Sequence, residues 1–183
     1  MPAAFEPPSA GFVLDWAMLA ALAKRGVGFA TLTHAAGISS TGDADLDRRL
    51  PFDEPYRIPE STAVAIRRAK AGGGRIVAIG TTVVRALEHA AGEWGSVRAG
   101  VGVATGRLGR DAPLRVADAI LSGVHAPGES HHDMLRAFAS DRVLERATIA
   151  LETNGYRNHE FGDFVLIERA RRATRARLSL TAA

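Results

Sequence analysis

The stretch Arg75-Ile76-Val77-Ala78-Ile79 constrains the fold of this chain more than any other feature, because it stands between Gly72-Gly73-Gly74 and Gly80-Thr81-Thr82. A short apolar run bounded by glycine reads as a strand buried on both faces. Upstream, Pro59 opens a helix that carries Ala63, Val64, Ile66 and Ala69 on one face. Downstream, a second helix runs over about 83–91. Helix, glycine turn, buried strand, glycine turn, helix is the grammar of an α/β sheet with crossover helices.

The remaining elements are placed around that unit. A helix is expected over 15–24, with Gly26 as its stop, and a short buried strand over 27–32. Residues 35–53 hold Gly37, Gly42 and Pro51 without periodicity and read as a loop, and 92–113 show little pattern. Apolar residues resume over 114–122, a loop follows, and a long helix is expected over 129–153. The run Phe164-Val165-Leu166-Ile167 closes the fold as a last strand. At 183 residues, 46% of them hydrophobic, the chain is long enough for one domain with a real core. We expect a single α/β domain over 1–168 and a basic tail over 169–183. The net charge of +3 is concentrated in that tail, where Arg169, Arg171, Arg172, Arg175 and Arg177 leave the rest mildly acidic. Such a tail is either a solvated, frayed helix end or a grip for nucleic-acid phosphates.

Several classes of protein are excluded. With no cysteine there is no disulfide scaffold, thiol nucleophile or sulfur-ligated zinc. Asp15 interrupts the longest apolar candidate, Phe12 to Ala23, well short of a membrane span, and no basic-then-apolar leader opens the chain. The expectation is a soluble, cytoplasmic protein.

Three places carry chemistry. At 79–88 a strand end feeds a helix through Gly80, which aims backbone N–H groups and a helix dipole at an anionic group; an ordinary helix cap by Thr81 or Thr82 accounts for the same residues. Arg85 and Glu88 lie three apart and suit a surface ion pair. At 125–133 stand His125, His131, His132 and two carboxylates. Consecutive histidines on a helix point about 100° apart, so His131 and His132 do not readily share an ion, and no metal site is expected. Ser130 and Asp133 suit a helix cap, whereas His125, in a Gly/Pro loop, suits acid–base work or ligand contact. His89, among alanines, reads as a surface residue. At 156–163 polar groups crowd a loop before the last strand, where Asp163 serves either as a base or as an acceptor for backbone donors.

Together these segments resemble the S-adenosylmethionine:tRNA ribosyltransferase-isomerases of the queuosine pathway. The family's Gly-Thr-Thr-x-Val-Arg-x-Leu-Glu pattern is similar to residues 80–88. Its Val-Asp…His-x-Pro segment resembles Val116, Asp118, His125 and Pro127, with one residue inserted, and its closing motif resembles Tyr156, Arg157, Phe161, Gly162 and Asp163. Weaker echoes are Ser9-Ala10-Gly11, His34, and Glu54, Tyr56 and Pro59. The resemblance covers the C-terminal half of the family protein and implies a three-layer-like α/β fold like its large domain. It also implies S-adenosylmethionine as ribosyl donor and co-substrate, and a 7-aminomethyl-7-deazaguanine base in tRNA as acceptor, giving epoxyqueuosine. On that footing Gly80, Thr81, Thr82, Arg85 and His34 are expected at the donor, and His125, Asp163 and Glu88 as catalytic groups. The departures fall in the pocket lining: Phe12-Val13 replaces a His, 35–40 alter a Gly-rich stretch, and a Pro-Gly-Tyr segment is missing near 107–113. Gly123-Val124 replaces an Asn-Phe, His131 and His132 replace apolar residues, and Asn158 and His159 replace aromatic ones. The other reading is a divergent or partial relative, without the tRNA reaction, that binds a ligand or a partner such as another subunit or the missing half.

Overall fold

The structure, a computed structural model, describes residues 9–38, 41–125, 129–157 and 162–169. After a 3-10 turn at Ser9–Val13 come α1 (Trp16–Lys24), β1 (Thr33–His34), α2 (Ala44–Asp47), β2 (Glu54–Ile58), α3 (Glu60–Ala71) and β3 (Val77–Ile79). The chain continues through α4 (Thr81–Trp94), β4 (Gly100–Ala104), β5 (Ala119–Gly123), α5 (Ser130–Leu135), α6 (Asp141–Thr153) and β6 (Phe164–Glu168). The class is α/β, as the glycine-bounded unit required, and the described strands divide between two three-stranded sheets. One is antiparallel in the order β1-β2-β4; in the other, β5 lies between a parallel β3 and an antiparallel β6.

Helix α4 organises both sheets. Val84, Ala86, Leu87, Ala90 and Ala91 are all buried, because apolar residues continue around most of its circumference. One side packs with Tyr56, Ile58, Ala63, Ile66 and Ala104 of the antiparallel sheet and α3. The other side packs with Ala78, Ile120, Met134, Leu135, Phe138 and Leu144, and Val83 touches both clusters.

Several expectations fail for physical reasons. Residues 27–32 form no strand; only Thr33 and His34 enter a ladder, and residues 27–31 are exposed. Strand propensity without a neighbouring edge leaves backbone groups to water. Strands β2 and β4 arise where no strand was read, and β2 shows the alternating burial that the long loop before it obscured. In β4, Gly102 sits over the Tyr56 ring, where an added Cβ would lie 2.5 Å from the phenol oxygen, so glycine there serves close packing. The helix expected over 129–153 breaks between α5 and α6; Ser140 is the second N-cap, and the Arg136 guanidinium binds the Asp141 carboxylate across the break at 2.8 and 3.2 Å. Helix α5 begins after Glu129 without a side-chain cap, and Asp133 instead faces Arg136 at 3.3 Å. His89 is not a surface residue: it is half-buried, and its Nδ1 lies 3.1 Å from the Tyr56 hydroxyl.

Arg169, first of the clustered arginines, is tied to the body. Its N–H donates to the Asp118 carbonyl (2.9 Å) and its guanidinium to the Leu114 carbonyl (2.7 Å). The rest of the basic tail, 170–183, lies outside the described residues.

Candidate functional site

Because β3 and β5 are parallel, with Ile79 opposite Leu121, their carboxyl ends emerge side by side. Ligands in α/β sheets bind at such ends. Here Ile79, Gly80, Thr81 and Thr82 from one strand end and Ser122 and Gly123 from the other form one wall of a cleft. The facing wall comes from the antiparallel sheet and its loops: His34, Ala36, Gly37, Ile38, Pro51 and Glu54. Ser9 and Ala10 border it, and His125 and His131 complete the described lining.

Gly80 makes the turn possible. Its φ of 93° lies where an L side chain is strained, its N–H donates to the Leu121 carbonyl (2.8 Å), and its carbonyl accepts the first helical bond, from Val84 (3.3 Å). The cap residue is therefore Gly80; neither threonine caps the helix, contrary to the simple reading of that turn. The N–H groups of Thr81, Thr82 and Val83 precede the first helical bond and have no acceptor within the helix. With the helix dipole they make this edge of the cleft attractive to an anionic or strongly polar group.

His34 contributes a buried ring nitrogen, Nδ1, with no hydrogen-bond partner in the protein. Burial pushes its pKa down, against the pull of the Glu54 charge, so the ring is neutral at pH 7. His125 stands with Nδ1 3.4 Å from the Glu129 carboxylate and its ring centroid 4.7 Å from that of His131.

Three expected residues, Arg85, Glu88 and Asp163, are not among the described lining. Arg85 and Glu88 do not pair, because both are buried and each is claimed by another element. Arg85 donates to the Glu54 carboxylate (2.7 Å) and to the carbonyls of Phe52, Ala104 and Gly106 (2.9, 3.1 and 3.2 Å). Burial lowers its pKa, and the Glu54 charge opposes that shift. The other Glu54 oxygen accepts the Gly37 N–H (3.0 Å), so this ion pair sets the loop that faces Gly80. Glu88 accepts N–H bonds from Arg115, Val116 and Ala117 at 2.6, 2.9 and 2.8 Å and so fixes the approach to β5. Asp163 accepts the Arg157 N–H at 2.8 Å through its carboxylate, and its carbonyl accepts the Val124 N–H at 3.1 Å, beside His125.

The sequence had singled out His34, Gly80, Thr81, Thr82 and His125, and all five meet in the cleft. Glu54 had appeared only as a faint echo, and Ser122 not at all, although a buried serine ending an apolar strand was a usable sign. Asp118, part of the resembling motif, is structural: it accepts from Lys70 and from the Ile76 N–H at 2.8 and 2.9 Å, which together outweigh burial and lower its pKa. Pro127, Asn158, His159 and Phe161 lie outside the described residues. Among the described residues no group of three or more His, Asp or Glu converges as a metal-ligand set, and no helix is long and apolar enough to cross a membrane.

The enclosed space is about 70 Å³. That is far below the roughly 300–1,000 Å³ of small-molecule sites.

Comparisons with known proteins bear on what the cleft belongs to. A protein from Thiobacillus denitrificans, named S-adenosylmethionine:tRNA ribosyltransferase-isomerase, is 34% identical over 172 residues, covering 92% of this chain and 50% of its own length. A protein of the same name from Thermus thermophilus is 37% identical over 169 residues, with 91% and 49% covered. The crystal structure of S-adenosylmethionine tRNA ribosyltransferase from Thermotoga maritima superposes with a TM-score of 0.70 at 28% identity, over 86% of this chain and 51% of that one. The chain thus spans about half the length of the curated relatives it matches. Residues 1–167 match the family described as queuosine biosynthesis protein, and the chain belongs to that family.

Proposed function

We propose that this chain builds the donor-binding part of an S-adenosylmethionine:tRNA ribosyltransferase-isomerase. The observation that carries the reading is the meeting of His34, the Gly80-Thr81-Thr82 turn and His125 in one cleft at the carboxyl ends of two parallel strands. The residues present suit the polar parts of such a donor. The helix N–H groups and threonine hydroxyls suit a carboxylate, and the unpartnered His34 Nδ1 suits a polar edge. S-adenosylmethionine would supply the ribosyl group and an acidified carbon beside its sulfonium. His125, between Glu129 and His131, is the group placed to hold or move a proton at Nδ1 or Nε2. Asp163 positions the His125 segment, Glu88 positions the approach to β5, and Arg85 positions Glu54 and the Gly37 loop. The acceptor in this reading is a tRNA base, which places the protein in the cytoplasm, and the arginine-rich tail beyond the α/β domain adds phosphate affinity.

The half-length match and the small volume of the cleft also favour a second reading, a ligand-binding or partner module that has lost the tRNA reaction. Calorimetric titration with S-adenosylmethionine, with methionine and adenine as controls, separates the two. The first reading expects about micromolar binding, lost in the Thr81→Val/Thr82→Val protein. Absent binding, or binding indifferent to both threonines, would overturn it and leave the module reading in its place.

A further inference from the structure

We propose that a second cavity, which shares Pro51 with the cleft, is a nucleotide-binding site that takes the phosphate on Arg107 and Arg110. The cavity holds about 390 Å³, within the roughly 300–1,000 Å³ of small-molecule sites and far more than the cleft. Its described lining brings together three guanidiniums, of Arg107, Arg110 and Arg136, and two carboxylates, of Asp111 and Asp133. Arg107 and Arg110 lie in the stretch 107–113 where the family's Pro-Gly-Tyr segment is missing, so the family pattern does not supply this lining.

The three arginines are not equally engaged. A guanidinium carries five N–H donors in a planar fork. Arg136 uses all three of its nitrogens, on Asp141 at 2.8 and 3.2 Å and on Asp133 at 3.3 Å. Arg110 gives one nitrogen to the same Asp141, and Arg107 gives one to the Arg48 carbonyl, a neutral acceptor. Among the described residues Arg107 therefore has no carboxylate partner, Arg110 shares one, and both are exposed. Two such forks, three residues apart on one loop and with donors unspent, suit a phosphate held by charge-assisted bonds.

The carboxylates decide what kind of phosphate fits. Asp111 and Asp133 oppose a bare inorganic anion, but they accept from the amino and ring N–H groups of a nucleobase. Pro51, Leu108 and Met134 add apolar surface for the face of the ring. A nucleotide uses the arginines, the acceptors and the apolar wall together, and the volume matches it. Because Pro51 lines both spaces, a nucleotide here would stand beside the occupant of the cleft. The site itself does not rest on the donor-binding reading.

The test titrates the chain, without S-adenosylmethionine, with the four ribonucleoside monophosphates, the four ribonucleosides and inorganic phosphate. Calorimetry and amide chemical shifts are the readouts. At least one monophosphate is expected to bind 1:1, at least about tenfold more tightly than its nucleoside or inorganic phosphate. The shifts should centre on 107–112 and 133–136, which locates the site without any substitution. Arg107→Gln with Arg110→Gln should weaken binding at least about tenfold. Arg107→Lys with Arg110→Lys, which keeps the charge but not the fork, should weaken it less. Arg142→Gln with Arg146→Gln, exposed on α6 outside the lining, removes the same charge and should leave binding unchanged. A short RNA that displaces the monophosphate identifies the ligand as a nucleotide within RNA, and one that does not displace it identifies a free nucleotide. The proposal is overturned if no monophosphate binds, or if nucleoside or inorganic phosphate binds as tightly. Binding untouched by the glutamine pair, or shifts confined to the Gly80 cleft, would overturn it too.

Discussion

Glu88 is a carboxylate whose burial makes its role measurable. Its Oε1 accepts from Val116 and Ala117 at 2.9 and 2.8 Å, and its Oε2 accepts from Arg115 at 2.6 Å. Glu88→Ala would strip three backbone donors of their acceptor at a place largely closed to water. An unsatisfied buried donor costs about 1–3 kcal/mol. The Arg115 N–H is only part-buried and recovers some hydration, so the loss for the three together is about 3–6 kcal/mol rather than the full sum. Set against a domain stability of about 5–15 kcal/mol, that is a large fraction. Glu88→Gln keeps one oxygen for Val116 and Ala117 and turns an NH2 toward the Arg115 N–H, which costs about 1–3 kcal/mol. Urea unfolding by linear extrapolation measures both values, and hydrogen exchange should show amides 115–117 opening first in the alanine variant. A Glu88→Ala protein within about 1 kcal/mol of the parent, or a Gln variant as damaged as the Ala variant, would refute the reasoning. Full stability of Glu88→Gln with lost turnover would return Glu88 to the catalytic role that the family pattern implies.

Other outcomes follow from the same geometry. Arg85→Met leaves the Glu54 carboxylate buried without its cation and should cost about 3–5 kcal/mol, read as a fall in Tm of roughly 2–4 °C per kcal/mol. An unchanged melting curve would contradict the pairing. Gly80→Ala forces a Cβ into a φ of 93°, and by the cost of strained backbone it should lose about 1–3 kcal/mol and disturb the cleft; the added atom itself meets Ala10 only at 3.7 Å, so strain and not collision is tested. His34 has its pKa lowered by burial, so between its ordinary value near 6.5 and its lower folded value the unfolded chain binds more protons. Stability is therefore full above pH 6.5 and falls as the pH drops toward the folded pKa. His132 shifts the same way, burial again being the main cause. A double His34→Asn/His132→Asn protein should show a flatter stability profile between pH 7 and 5, and an unaltered slope would count against burial as the cause.

What was legible in the sequence was what neighbours along the chain determine. The β3–turn–α4 unit needs only an apolar run, a glycine and a helical stretch in order, and all three are local, but the expected burial of β3 on both faces fails, because β3 is an edge strand and Val77 is 45% exposed. The final strand and α3 were legible on the same ground. Arg85 and Glu88 were misjudged because helical spacing says that two side chains share a side, not whether that side faces water. Residues 27–32 show the converse: their composition asks for a strand, but a ladder needs an edge from elsewhere in space. Strand β4 was missed because Gly-Val-Gly-Val-Ala looks weak until the Tyr56 ring is seen to require Gly102. The break between α5 and α6 turns on an Arg136–Asp141 pairing that periodicity does not register.

By itself the sequence determined the α/β class, the glycine turn from β3 into α4 and, through motifs kept in order along the chain, the family. Each depends on residue type and short spacing, and those survive without coordinates. Only the tertiary structure decided that His34, Thr81, Thr82 and His125 share a cleft while Arg85 and Glu88 are buried behind it. That division depends on which elements the two sheets bring together around α4. A buried charge takes whichever donors or acceptors surround it in space, because the cost of leaving it unpaired there exceeds any preference set by its neighbours in sequence.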